Sequence, residues 1–210
     1  MNNTQIKELY TLLSAERPDP KSELNFSTPF ELLVAVMLSA QATDKSVNLA
    51  TEKLFADANT PQEILALGQE GLENYIRTIG LYRSKAKHVL AACKILCEQY
   101  SGSVPRDYES LVSLPGVGSK TAKVVLNVAF GEPTIAVDTH IFRVANRTGL
   151  APGNSPDEVS EKLSKITPPE FLKNAHHWLL LHGRYCCKAR KPLCSQCPIS
   201  HLCTSDEKTL

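Results

Sequence analysis

An all-α chain is what this sequence predicts, on three observations. Helix-start chemistry recurs along its whole length. Amphipathic runs carry apolar residues three and four apart, and β-branched alternating runs are nearly absent. The first helix is expected over residues 4–16, where Ile6, Leu9, Tyr10 and Leu13 share one face. Three later starts repeat one pattern: Thr28-Pro29-Phe30-Glu31, Thr60-Pro61-Gln62-Glu63 and Ser155-Pro156-Asp157-Glu158. Each sets a hydroxyl at the N-cap, proline at the first helical position and a glutamate that can reach back to the cap. Further helices are expected over residues 44–57, 69–78, 84–99, 107–113, 118–130, 139–148 and 169–184. A boundary falls at Gly131-Glu132-Pro133, where glycine and proline stop the run.

Length and charge narrow the function classes. The chain has 210 residues, enough for one domain or two small ones, with a formal charge of +1. No basic-plus-apolar leader is visible, and the most apolar window, Leu32 to Ala40, is far too short to span a bilayer. A cytoplasmic protein without a membrane partner is therefore expected. The basic residues are unevenly spread: Arg77, Arg83, Lys85, Lys87 and Lys94 lie in an acid-free stretch, and Arg184, Lys188, Arg190 and Lys191 in another. Solvated helix faces often look like this, but two such patches also fit a DNA footprint.

The stretch richest in chemistry is Leu114-Pro115-Gly116-Val117-Gly118-Ser119-Lys120-Thr121-Ala122. An apolar segment ends in Pro-Gly, one valine separates two glycines, and a helix-competent run follows at once. This reads as helix, tight hairpin, helix, and unpaired amides at a helix start suit a phosphate. The spacing is not that of a nucleotide-hydrolase phosphate loop. It closely resembles the helix-hairpin-helix motif of DNA glycosylases, in which the hairpin amides grip a DNA phosphate.

Lys120 falls in the first helical turn, where the macrodipole disfavours a cation. That field, with partial burial, would lower its pKa and favour a nucleophilic amine; simple charge neutralisation of a phosphate is the competing reading. Asp138 is a natural N-cap for the helix ending at Thr148 and Gly149. The run from Leu114 to Asn127, followed by Thr134-Ile135-Ala136-Val137-Asp138-Thr139-His140, is similar to the endonuclease III family almost word for word. Ser39 to Asp44, Thr78 to Tyr82 and His182 to Cys186 extend the resemblance over nearly the whole chain.

That resemblance implies a six-helix barrel domain over residues 22–132. Residues 1–21 and 133–210 would form a cluster-bearing domain, with the lesion site between the two. It implies a bifunctional glycosylase and abasic-site lyase of base excision repair, removing oxidised pyrimidines from double-stranded DNA. Lys120 would be the nucleophile, Asp138 its assistant, and Gly116, Val117 and Gly118 the phosphate grip. A monomer in the cytoplasm, associated with the nucleoid through DNA, is expected. Gln41 and Leu81 match positions that fill the gap left by a flipped nucleotide, although Leu81 could equally be core. His140 either touches a phosphate or faces solvent.

The carboxy-terminal quartet Cys187, Cys194, Cys197 and Cys203 lies within 17 residues. This points to a metal site rather than disulfides, and spacing does not choose between zinc and an iron–sulfur cluster. The family pattern implies a [4Fe–4S] cluster on these four, whose loop would offer Lys188, Arg190 and Lys191 to DNA phosphates. Cys186 adjoins Cys187 and leaves that ligand ambiguous by sequence alone; the family spacing selects Cys187. Cys93 and Cys97 are expected as small core residues, and His176, His177 and Trp178 as packing or surface. The rival readings are a non-catalytic helix-hairpin-helix module with a structural metal, and a mismatch glycosylase that removes the base only.

Overall fold

The computed structural model describes residues 1–209; the expected second domain ends on residue 210, outside the described residues. Ten α-helices form, with no strand among the described residues: α1 Asn3–Glu16, α2 Pro29–Leu38, α3 Asp44–Asp57, α4 Pro61–Ile76, α5 Tyr82–Tyr100, α6 Tyr108–Ser113, α7 Ser119–Phe130, α8 Thr139–Thr148, α9 Pro156–Ile166 and α10 Pro169–Tyr185. A single 3₁₀ turn, Cys194–Gln196, completes the set.

The three hydroxyl-proline starts cap as expected: Thr28, Thr60 and Ser155 accept from the amides of Glu31, Glu63 and Glu158. Their glutamates differ. Glu63 closes a full capping box on Thr60, whereas Glu31 and Glu158 reach one residue further back, to the amides of Ser27 and Asn154. Each hydroxyl cap contributes about 1 kcal/mol. The run from Thr60 and the run expected at 69–78 are one element broken at Gly68, whose φ of 66° and ψ of −176° are non-helical. Only a residue without Cβ adopts that conformation cheaply.

The chain divides into two compact units, Ser22–Gly131 and a discontinuous unit made of Met1–Lys21 with the chain from Glu132 onward. The first holds α2 to α7. Helix α2 is apolar except for Glu31 and buried along nearly its whole length, and α3, α5 and α7 pack on it. Leu33, Leu54, Ile64, Leu72, Ile76, Leu96, Leu111 and Val125 meet in its core. Each such side chain contributes about 1.5–3 kcal/mol by burial.

Lys85, 7% exposed, is the buried cation of this unit. Its Nζ donates to the carbonyl of Leu38 at 2.9 Å, taking one of the free carbonyls at the end of α2. Desolvation holds its pKa below the ordinary lysine value. Leu81 caps α5 one turn before it, with φ at 60°, and Gln41 follows α2 with φ at 55°. Both are exposed, which removes the core reading of Leu81. Cys93 is core and its thiol is pushed up to about 12 by burial, while Cys97 is only half-buried.

In the discontinuous unit α1 packs on α10 through an aromatic trio. Tyr10 stacks on Phe171 at 5.6 Å, Trp178 meets Phe171 edge-on at 6.0 Å, and the Trp178 indole donates to Arg17 O at 2.8 Å. His176 and His177 are buried as packing, rings 5.1 Å apart. Desolvation lowers the His177 pKa from 6.5. The folded state then holds fewer protons, so this contribution is complete above the unfolded value and is lost as pH falls towards the folded one. Acidification from neutral pH should lower the unfolding free energy by up to about 1.4 kcal/mol per pH unit from this residue. Chemical denaturation of the wild type and His177→Gln should show a flatter acid limb in the variant.

No helix among the described residues is long and apolar enough to cross a membrane.

Candidate catalytic hairpin and metal centre

Between α6 and α7 the chain reverses over Leu114 to Gly118. Leu114 and Val117 turn into the core, and the Val117 amide donates to Leu114 O at 3.0 Å. The two glycines have different reasons. Gly116 needs its positive φ of 79°, and a Cβ there would sit 2.7 Å from His88 Cβ. Gly118 is extended at φ −93°, and a Cβ there would meet nothing within 4 Å. Gly116→Ala should therefore cost about 1–3 kcal/mol, and Gly118→Ala less than about 1, in urea unfolding.

Gly118 is the N-cap of α7, and no side chain caps that helix. The amides of Gly116 and Gly118 have no acceptor among the described residues. The hairpin thus presents open donors to an anion from Gly116 and Gly118, with Val117 supplying the anchor. Lys120 follows in the first turn of α7. Its side chain is exposed and makes no ion pair among the described residues, so the expected partial burial is absent. What remains of the expectation is an unpaired amine at the positive end of a helix.

Asp138 caps α8 in the other unit. Its Oδ1 accepts from the amides of His140 and Ile141, both at 2.9 Å, and Oδ2 has no donor among the described residues. The half-buried carboxylate is held by one oxygen while the other makes no hydrogen bond among the described residues. His140 lies beside Arg143, whose Nη2 is 3.2 Å from its Nδ1.

The carboxy-terminal cysteines gather as the spacing suggests. Cys187, Cys194, Cys197 and Cys203 all line one small cavity of about 30 Å³, together with Cys186 and His182. Every described cysteine is a free thiol. Within the cavity the tightest donor group is His182, Cys186 and Cys197, whose ligand atoms lie within 4.8 Å of one another. The Cys186 thiol donates to Leu193 O at 3.7 Å, and the nearness of the Cys186 and Cys197 thiols holds Cys197 below the ordinary thiol value and Cys186 above it. His182 Nε2 is 3.7 Å from the Cys197 sulfur. A thiol-dominated, partly buried donor set of this kind fits an iron–sulfur cluster.

Three supporting residues were not visible in the sequence. Arg143 donates to Cys187 O at 2.8 Å and Gly183 O at 2.7 Å; Arg147 donates to Lys188 O at 2.7 Å and pairs with Glu207. These two arginines, four apart on α8, hold the first half of the cysteine segment by its carbonyls. His182 is the third. Beyond them Lys188, Arg190 and Lys191 are exposed, and Lys191 takes a positive φ of 50°.

Comparison with known proteins fits this geometry at both ends. Residues 34–169 match the HhH-GPD superfamily base excision DNA repair protein family, and residues 187–203 the iron–sulfur binding domain of endonuclease III. Endonuclease III of Escherichia coli (strain K12) is 60% identical over 208 residues, 99% of both chains. That of Haemophilus influenzae is 58% identical over the same 99%. A solved trapped endonuclease III–DNA covalent intermediate superposes with a TM-score of 0.91 at 47% identity, covering 97% of this chain and 96% of the other. With an uncapped glycine hairpin, a capping aspartate and four cavity-lining cysteines in the matched segments, the chain belongs to the endonuclease III family of helix-hairpin-helix base excision repair proteins.

Proposed function

We propose that this protein is a bifunctional DNA glycosylase and abasic-site lyase that removes oxidised pyrimidines from double-stranded DNA. The observation that carries the reading is the unpaired Lys120 on the uncapped first turn of α7, directly after a hairpin with open amides. Gly116 and Gly118 hold a DNA phosphate through their amides, with Val117 fixing the turn. Gln41 and Leu81, exposed at left-handed turns, fill the space of the extruded nucleotide, and extrusion costs least where damage has weakened stacking.

The chemistry follows from two side chains. The neutral Lys120 amine attacks the sugar C1′, the C1′–N bond breaks, and the base leaves with the bonding pair and takes a proton from water. Asp138 Oδ2 accepts the amine proton and stabilises positive charge developing on the sugar. The C1′–O4′ bond then breaks, O4′ taking the proton back from Asp138 as the lysine nitrogen's lone pair forms C1′=N, and the resulting Schiff base acidifies the 2′ hydrogen. Its loss expels the 3′ phosphate oxygen, cleaving the strand, and water then releases the unsaturated sugar from Lys120.

The residues that hold the [4Fe–4S] cluster are Cys187, Cys194, Cys197 and Cys203, with His182 beside Cys197. When bound, the cluster crosslinks the segment and so fixes the loop bearing Lys188, Arg190 and Lys191. His140, in the first turn of α8 beside Arg143, contributes a phosphate contact. The protein acts as a monomer in the cytoplasm, associated with the nucleoid through DNA. The domain frame is a six-helix barrel over 22–132 and a cluster domain of 1–21 with 133–210.

Borohydride should trap a covalent complex between the protein and DNA containing thymine glycol; base release without trapping would mean a glycosylase that works through water. Lys191→Ala should weaken binding to all DNA sequences alike and reduce the salt slope by about 1, measured by titration at several salt concentrations. A loss confined to one lesion would contradict a phosphate contact.

A further inference from the structure

Cys186 lines the same cavity as the quartet, yet the ligand set above leaves it unused. We propose that Cys186 is an alternative cluster ligand interchangeable with Cys187, giving this site five thiols for four positions. The inference rests on the ligand assignment above and goes beyond it.

The two adjacent sulfurs have different surroundings. Cys186 belongs to the tight donor group with Cys197 and His182; Cys187 lies outside it and packs against the core of its unit. Neighbouring side chains in a regular helix diverge, but α10 ends at Tyr185. The amides of Cys186 and Cys187 both donate to His182 O, at 2.9 and 2.8 Å, so the chain tightens at this point. Both thiols are thereby brought to one cavity. Leu193 N donates to Cys186 O at 3.0 Å, closing the loop that returns to Cys194. A ligand at either position therefore spans nearly the same loop.

The exchange balances without an oxidant. As the bond from Cys187 sulfur to iron breaks, that thiolate takes up a proton. Cys186 gives one up as its sulfur binds the same iron. The thiolate count and the charge of the site are unchanged.

The test compares iron and acid-labile sulfide per chain, and visible absorption, in four purified variants. Cys194→Ala, whose chain neighbours are not thiols, should lose the cluster; if it keeps it, the ligand assignment itself is wrong. Cys186→Ala and Cys187→Ala should each retain iron and sulfide near the wild-type ratio, and the double variant should lose both. Loss from Cys187→Ala as complete as from Cys194→Ala overturns the exchange alone, and so does retention by the double variant. Cys187→Ser, which stays close to cysteine in size, gives a second chain should the alanine variant misfold. In that holoprotein Cys186 should resist iodoacetamide and become labelled once the cluster is removed with a chelator and oxidant. Equal labelling before and after overturns the proposal. In the wild-type holoprotein Cys186 should be labelled and Cys187 protected.

Discussion

Lys120→Ala should abolish borohydride trapping and lower both base release and strand cleavage by at least about 10⁴-fold, as removal of a covalent nucleophile does. The fold should not respond. Lys120 is exposed and unpaired among the described residues, and alanine suits the first turn of α7. Lys120→Arg separates nucleophile from counter-ion. A guanidinium keeps the positive charge and cannot be deprotonated, so it should bind DNA nearly as well and still fail to trap. Full activity in the arginine variant would make Lys120 a phosphate contact and move the nucleophile elsewhere. Undamaged DNA should bind with only modest loss in either variant, since the hairpin amides remain.

Asp138→Asn should separate the two tasks of that side chain. An asparagine oxygen can still accept from the amides of His140 and Ile141, so the cap on α8 survives and stability should change by less than about 0.5 kcal/mol. What disappears is the carboxylate's proton affinity and charge. Single-turnover base release should fall by about 10²–10⁴-fold, the range for loss of a positioned acid–base group. Asp138→Ala removes both tasks and should lose a further 0.5–2 kcal/mol of stability, roughly the value of an N-cap. Full turnover by the asparagine variant would leave Asp138 only its capping role.

The local chemistry of this chain was legible in its sequence. Helix starts follow from hydroxyl and proline positions, Asp138 caps the helix it was assigned to, and the quartet of cysteines meets in one cavity. What was hidden depends on partners remote along the chain. Arg143 and Arg147 look like ordinary surface cations on α8 until residues more than 40 positions later bring carbonyls to them. His182 lay inside a quoted motif, yet its approach to Cys197 arises only when the segment folds back on α10. Lys120 shows the opposite error, because the burial expected of it required neighbours that α7 does not place around its first turn. Gly116 and Gly118 read alike as letters. The His88 side chain gives one of them a steric reason that the other lacks.

The broken connectivity of the unit containing α1 has a consequence for synthesis. The apolar face of α1, Ile6, Leu9, Tyr10 and Leu13, belongs to a core completed by Phe171, Trp178 and Leu179. During translation α1 leaves the ribosome first, yet the residues that cover it are made more than 150 positions later. Ser22–Gly131 is contiguous, and its contacts are available as soon as that stretch has emerged. Order of synthesis and order of completion are thus reversed for the first helix. The nascent chain carries an uncovered aromatic and aliphatic stripe through most of its production, the interval in which hydrophobic surface is most open to chaperones and aggregation.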